Sequence, residues 1–380
     1  MTIEAIHATR SRGATMRLSV CVITYNHEEY IEQAITSVLN QDVSFDYEIV
    51  VGEDRSTDST ADVLRKLEAS NPGRLKVIYR ENNIGAVNNF LRTIDSCSGE
   101  YIAFLEGDDF WTSTDKLELQ VGFLDQHQEA SFCFHRTRYL FTAEQSSEYV
   151  LPLRDPPMLS SFDFLLQEGN QVALNSIVAR CAYLTDLPVW IADLKLGDWP
   201  LCLMLATRGL VGFVPMEMSK YRVHAGGIWS QLSPHLQFVY VIQMFFQVSE
   251  LLSGDEKSLV EHRKAEWADS WCNYLIHDPK VQLDAVENDL NQVGSCELST
   301  YLLSRAADKA RNLEQSRLLH EQQRLLHEQQ LRAWEATAAH ANRLSAQLSA
   351  EVAELKKQTA RMEVVVGARI RKWVAGFRLR

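Results

Sequence analysis

The chain has 380 residues, 46% of them hydrophobic, which is material for one large core with an appended element and excludes a chain disordered throughout. A formal net charge of -12, with no basic stripe through the first 300 residues, excludes a surface that neutralises many nucleic-acid phosphates. Such a protein holds a pyrophosphate only by offsetting the repulsion with a metal, a helix N-terminus or a few placed arginines.

Seven cysteines without a C-x-x-C pair fit neither a disulfide framework nor a structural zinc site and point to a reducing compartment. Residues 1–17 carry Glu4, Arg10, Arg12 and Arg17 and read as a flexible segment, with no apolar stretch of signal-peptide length there and no span of membrane length elsewhere. A cytoplasmic location is expected.

Leu18 to Ile23 reads as a buried strand, followed by a helix with Ile31, Ala34, Ile35 and Val38 on one face. Tyr47 to Val51 repeats the strand, Thr60 to Ala69 the helix; Leu75 to Tyr79 and Tyr101 to Leu105 are a third and fourth strand. Strands alternating with helices imply parallel βαβ units in a doubly wound sheet, whose ligands sit beyond the carboxyl ends of the strands. The residues at those ends are Thr24-Tyr25-Asn26, Glu53-Asp54, Arg80-Glu81-Asn82-Asn83 and Glu106-Gly107-Asp108-Asp109. Three of the four ends carry carboxylates, which repel one another unless a cation or a hydrogen-bonding ligand lies among them.

Strand candidates continue at Ser131 to Phe134, Asn175 to Arg180 and Gly212 to Pro215, with a helix at Asp198 to Ala206. Residues 231–298 read as a helical extension containing two buried helices, Phe238 to Leu252 and Leu259 to Ile276. Residues 299–366 contain the tandem heptad Arg317-Leu-Leu-His-Glu-Gln-Gln323 and its repeat 324–330, and no Pro or Gly from Gln315 to Val366; they read as a long helix or coiled coil. A homo-oligomer is the expected consequence. The tail, residues 367–380, alternates five cations with Ile370, Trp373, Val374 and Phe377; it suits an anionic membrane surface as well as a partner's coiled coil.

An acidic pair directly after a buried strand, Asp108-Asp109, suits a hard divalent cation bridging two phosphates. The stretch Glu106-Gly-Asp-Asp-Phe-Trp111, with Lys116, Leu117 and Gln120, resembles the Asp-x-Asp-like region of a bacterial subgroup of family 2 glycosyltransferases. Ser19 to Asn26, Val50 to Ser59, Asn83-Ile-Gly85, Leu196-Gly-Asp-Trp199 and Tyr221-Arg-Val-His-Ala225 resemble further motifs of that family, in its order, over residues 18–230.

The resemblance implies a GT-A, Rossmann-like α/β domain with a mostly parallel sheet. It implies an inverting transfer of sugar from a UDP- or dTDP-type donor to a saccharide or lipid-linked saccharide in surface polysaccharide synthesis, with Mn²⁺ or Mg²⁺. Thr24, Tyr25, Asp54, Arg80 and Asp108 would then contact the nucleotide, and Asp109 and His224 would hold the metal with the diphosphate. Asp198 would be the general base, although its spacing alone reads as a helix N-cap. Two positions depart from the family pattern: Arg55 stands where a glycine is usual, and Gly197 where a glutamate precedes the base.

Other chemistries lack their motifs: there is no G-x-x-x-x-G-K loop, G-x-S-x-G elbow, H-E-x-x-H or G-x-G-x-x-G. A nucleotidyltransferase would need a glycine-rich basic loop where Thr24 to Glu28 stand. The remaining alternative is a nucleotide-binding scaffold that organises a polysaccharide assembly through the coiled coil.

Overall fold

The computed structural model describes residues 16–141, 148–224, 226–227, 229–278, 286, 289–290, 293 and 295–377. The expectation of a flexible segment falls mostly on residues 1–15, outside the described residues, as do most side chains of the basic tail. The first half is strand and helix in alternation: β1 (Leu18–Thr24), α1 (Ile31–Leu39), β2 (Tyr47–Glu53), α2 (Thr60–Ser70), β3 (Leu75–Tyr79), α3 (Ala86–Ile94) and β4 (Tyr101–Glu106). Then follow β5 (Phe110–Trp111), α4 (Lys116–Gln126), β6 (Ala130–Phe141), β7 (Tyr149–Leu151), β8 (Leu159–Ser160), α5 (Phe162–Glu168), β9 (Val178–Arg180), α6 (Asp198–Ala206) and β10 (Leu210–Val223).

All ten strands belong to one sheet, whose main path runs β3-β2-β1-β4-β9-β6-β10-β5. β3, β2, β1 and β4 are parallel, as is the long β6/β10 pair, while β5, β7, β8 and β9 add short antiparallel pairings. The chain moves outward from β1 to β3, then returns to place β4 on the other side of β1. This reversal opens the crevice between the carboxyl ends of β1 and β4.

β1 and β4 are almost continuously buried because helices cover both faces of the sheet. Leu18, Val20 and Val22 pack with Ile31, Ile35 and Val38 of α1 and Leu117 of α4 on one face. Cys21 and Phe104 pack on the other with Phe90 and Ile94 of α3 and Trp199 of α6.

The expected strands at Ser131–Phe134 and Gly212–Pro215 are the inner parts of longer ones, β6 with 12 residues and β10 with 14. Their outer halves carry Arg136, Arg138 and Glu217, which hide the strand signal but pair with Asp155 and with each other at the surface. Pro215 does not stop β10, because it lies where the register skips from Val214 to Glu217, a bulge that needs no N–H from it.

Helices α7 (Pro234–Leu251) and α8 (Gly254–His277) follow, and Val241, Phe245, Val248 and Val260 join the core beside α6. The last helix, α9 (Cys296–Phe377), begins in the first of two compact units, residues 1–306 and 307–380, with Leu298 and Leu302 buried against Trp271 and Val239. In the second unit Leu318, Leu319, Leu325, Leu326, Leu344 and Leu348 are exposed. Among the described residues no helix is long and apolar enough to cross a membrane.

Candidate active site

Loops from β1, β2 and β4 meet at the sheet reversal. Asn26 turns the chain after β1 in the left-handed region, φ 56°, and its side-chain oxygen accepts from Thr57 N–H at 2.8 Å. Arg55, φ 63°, does the same after β2, so the turn keeps the shape a glycine would take although arginine occupies it. The Glu28 carboxylate accepts from Ser59 N–H at 2.8 Å, and Asp58 accepts from Glu28 N–H at 3.1 Å, tying the two loops together.

Gly107 follows β4 in a place where only glycine fits: a Cβ there would lie 2.5 Å from Thr24 Oγ1 and 2.9 Å from His27 Nδ1. Thr24 Oγ1 lies 3.2 Å from His27 Nδ1, which leaves Nε2 facing the Asp108 carboxylate at 3.6 Å. From the far end of β10, His224 Nε2 reaches the same oxygen at 3.0 Å. Gly226 N–H donates to His224 Nδ1 at 3.3 Å, so Nε2 carries the proton in this arrangement. Arg222 donates to the Asp108 backbone oxygen and to Gln33, and its guanidinium lies over the rings of Tyr30 and Phe110 at 4.8 and 4.5 Å.

Asp109, expected to hold the metal, has a different environment. It is 1% exposed, and its two oxygens accept from Arg222 N–H at 2.8 Å and Asn175 Nδ2 at 2.7 Å. Asn175 is itself held by Ser219 at 2.7 Å and donates to the Lys220 carbonyl. Asp109 is thus the clasp that fixes β10 to the end of β4. Burial and then the Asp108 charge push its carboxyl well above the ordinary value, against those two hydrogen bonds.

Asp108 lies beside this clasp, and its carboxylate meets two imidazoles, His224 Nε2 at 3.0 Å and His27 Nε2 at 3.6 Å. Burial raises the Asp108 pKa, but the hydrogen bond to His224 and the nearby His27 outweigh it and bring the group below its ordinary value. A carboxylate oxygen is a suitable donor for Mn²⁺ or Mg²⁺. Among the described residues no group of three or more His, Cys, Asp or Glu is arranged to hold a metal ion, so a metal here would take further ligands from the diphosphate.

Asp198 opens α6. Its carboxylate accepts from Trp199 N–H at 2.8 Å and from Asn170 Nδ2 at 3.1 Å, and the N-cap position expected of Asp198 is taken by Gly197. It remains part-exposed, and burial pushes its pKa up. Glu106 feels the charges of Asp109, Asp108 and Asp198 in addition to burial and is pushed well above its ordinary value, so the carboxylates form one cluster.

The remaining nucleotide expectations divide. Tyr25 is 41% exposed beside the crevice, free to meet a planar ring. Asp54 is 1% exposed, and its oxygens accept from Ile84 N–H and Gly85 N–H, both at 2.9 Å, which anchors the third loop. Arg80 donates to Asn89 at 3.0 Å and Thr93 at 3.2 Å on α3, the two side chains that pack over Gly52. Neither is aimed at the carboxylate cluster. His27, Glu106 and Arg222 also belong to the site, each two positions from an expected site residue: Tyr25, Asp108 and His224. Asn175 carried no signal at all.

The family model for glycosyl transferase family 2 matches residues 19–154. The putative teichuronic acid biosynthesis glycosyltransferase TuaG of Bacillus subtilis is 31% identical over 193 residues, 47% of this chain and 73% of TuaG. The chain belongs to glycosyl transferase family 2. The uncharacterized protein Rv1520 of Mycobacterium tuberculosis is 36% identical over 213 residues, 56% of this chain and 60% of its own length. The fold is similar to that of S. aureus TarS 1-349, solved in complex with UDP-GlcNAc, with a TM-score of 0.57 at 20% identity over 79% of this chain and 91% of that one.

Proposed function

We propose that the chain is a metal-dependent inverting glycosyltransferase that moves a sugar from a nucleoside diphosphate donor to a saccharide or lipid-linked saccharide hydroxyl. The observation that carries this reading is the convergence of Asp108 with His224 and His27 beside Glu106 and Asp198, where β1, β4 and β10 end. Teichuronic acid biosynthesis, in the name of TuaG, supports an acceptor in surface polysaccharide assembly. UDP-GlcNAc, named with TarS, makes UDP the first nucleotide to test.

Asp108 and His224 would hold Mn²⁺ or Mg²⁺, which supplies positive charge to offset the charge building on the departing diphosphate. Tyr25 stacks on the base from its exposed position. The Thr24–His27 loop, tied to the β2 loop, borders the diphosphate. Asp198 takes the proton from the acceptor hydroxyl as that oxygen bonds to the anomeric carbon and the carbon–oxygen bond to the diphosphate breaks on the opposite face. The Asp54 and Arg80 side chains shape the second and third loops around the nucleotide.

The exposed leucines of residues 307–380 support pairing of α9 with a second copy, an organiser appended to the enzyme. A thermal-shift panel of nucleoside diphosphates with and without Mn²⁺ tests the reading, since a ligand bound only by the folded chain raises its stability. Metal-dependent stabilisation by UDP is the expected result. The absence of stabilisation by every nucleotide would overturn it.

A further inference from the structure

Beside the carboxylate cluster three tyrosines stand abreast on neighbouring strands: Tyr149 of β7 opposite Tyr139 of β6, and Tyr139 opposite Tyr221 of β10. The rings of Tyr139 and Tyr149 are stacked, 4.7 Å apart with 14° between planes; those of Tyr139 and Tyr221 are 4.7 Å apart at 35°. Cross-strand aromatic pairs stabilise sheets, and for that purpose phenylalanine serves as well. The hydroxyls need another reason, because none of the three has a hydrogen-bond partner among the described residues.

Their surroundings supply one. Burial, followed by the Asp198 charge, pushes the Tyr139 phenol well above its ordinary pKa; burial followed by Glu106 and Asp109 does the same for Tyr221. Both phenols therefore stay protonated as donors beside the groups assigned to chemistry. Tyr149, 39% exposed, continues the row outward to solvent. A sugar ring has a rim of hydroxyls, and the unpaired phenols along the edge of the row complement it.

We propose that Tyr149, Tyr139 and Tyr221 form the acceptor subsite, receiving a saccharide along the edge of the stacked rings and leading one of its hydroxyls to Asp198. This rests on the transferase reading above. The row lies on β6, β7 and β10, whereas the first three nucleotide loops follow β1, β2 and β3, so acceptor and donor binding separate by substitution.

The test uses the full chain with UDP and Mn²⁺, and the methyl glycosides of glucose, galactose and N-acetylglucosamine as probes in saturation-transfer NMR. Wild type should transfer saturation to at least one glycoside. Tyr139→Phe, which keeps the ring, should weaken that binding about fivefold, the loss of one ordinary hydrogen bond. Tyr149→Ala should weaken it at least as much. The UDP and Mn²⁺ thermal shift should stay unchanged in both. Binding as in wild type by both variants, or no glycoside binding by wild type, would overturn the subsite. Glycoside binding lost in the variants while wild type shows no nucleotide shift would uphold the subsite and remove the nucleotide reading instead.

Discussion

His224 donates from Nε2 to the Asp108 carboxylate at 3.0 Å, although the two residues are 116 positions apart. The contact depends on the clasp next to it, where Asp109 holds Arg222 N–H and Asn175, and on the pairing of Phe110 with Lys220 across β5 and β10. Neighbouring aspartates thus have separate tasks, one facing the crevice and one fastening the strand that delivers the histidine.

Asp108→Asn and Asp109→Asn should accordingly fail in different ways. The first should still unfold cooperatively and lose the Mn²⁺-dependent shift with UDP. The second places an amide N–H against a donor in a buried site, which costs about 1–3 kcal/mol, so its unliganded melting temperature should fall. A full metal response from Asp108→Asn, or unchanged stability of Asp109→Asn, would reverse the assignment.

Arg55 offers a test of the β2 turn. At φ 63° an L-residue is strained, and glycine is not. Arg55→Gly should raise the urea midpoint by an amount worth about 1 kcal/mol, offset in part by the greater entropy of glycine in the unfolded chain. A lower midpoint would mean that the arginine side chain contributes more than its backbone costs.

The first four strands were legible because each is a short apolar run with its helix partner periodic beside it, and Ile31, Ala34, Ile35 and Val38 are buried as that period predicts. The outer halves of β6 and β10 were not, since Arg136 pairs with Asp155 and Arg138 with Glu217 at the surface, and these charges break the apolar pattern. The motif residues marked the site, but their spacing did not say which aspartate faces it. That choice depends on Asn175, which reaches Asp109 across 66 positions through tertiary packing alone.

Asp198 should set the acid limb of turnover. Burial raises its folded pKa, and the hydrogen bonds from Asn170 and Trp199 N–H pull it back down. As the proposed base it must be ionised, so transfer should fall as pH drops through that raised value. Asn170→Ala removes one bond to the ionised form and should move the limb to higher pH. Asp198→Asn should lower turnover by about 10²–10⁴ while sparing the nucleotide shift. An acid limb that does not move in Asn170→Ala would argue against Asp198 as the titrating group.

Lys116 carries a pH effect on stability rather than on chemistry. Its ammonium is fully buried 4.0 Å from the centre of the Trp111 ring with no hydrogen-bond partner, and burial lowers its pKa from 10.5 to about 7. Below pH 7 both folded and unfolded chains hold the proton, and the full cost of burying the charge is present. Between about 7 and 10.5 the unfolded chain retains a proton that the folded chain has released, so this residue makes stability rise with pH, by at most about 1.4 kcal/mol per unit. Lys116→Met fills the same space and keeps a sulfur against the ring. Urea unfolding at pH 6.5, 7.5, 8.5 and 9.5 should find wild type gaining on the variant at each step, because titrations away from Lys116, His135 and Cys133 are common to both and cancel. A constant difference between the two would mean that Lys116 keeps its proton in the fold, paired through the ring of Trp111 alone.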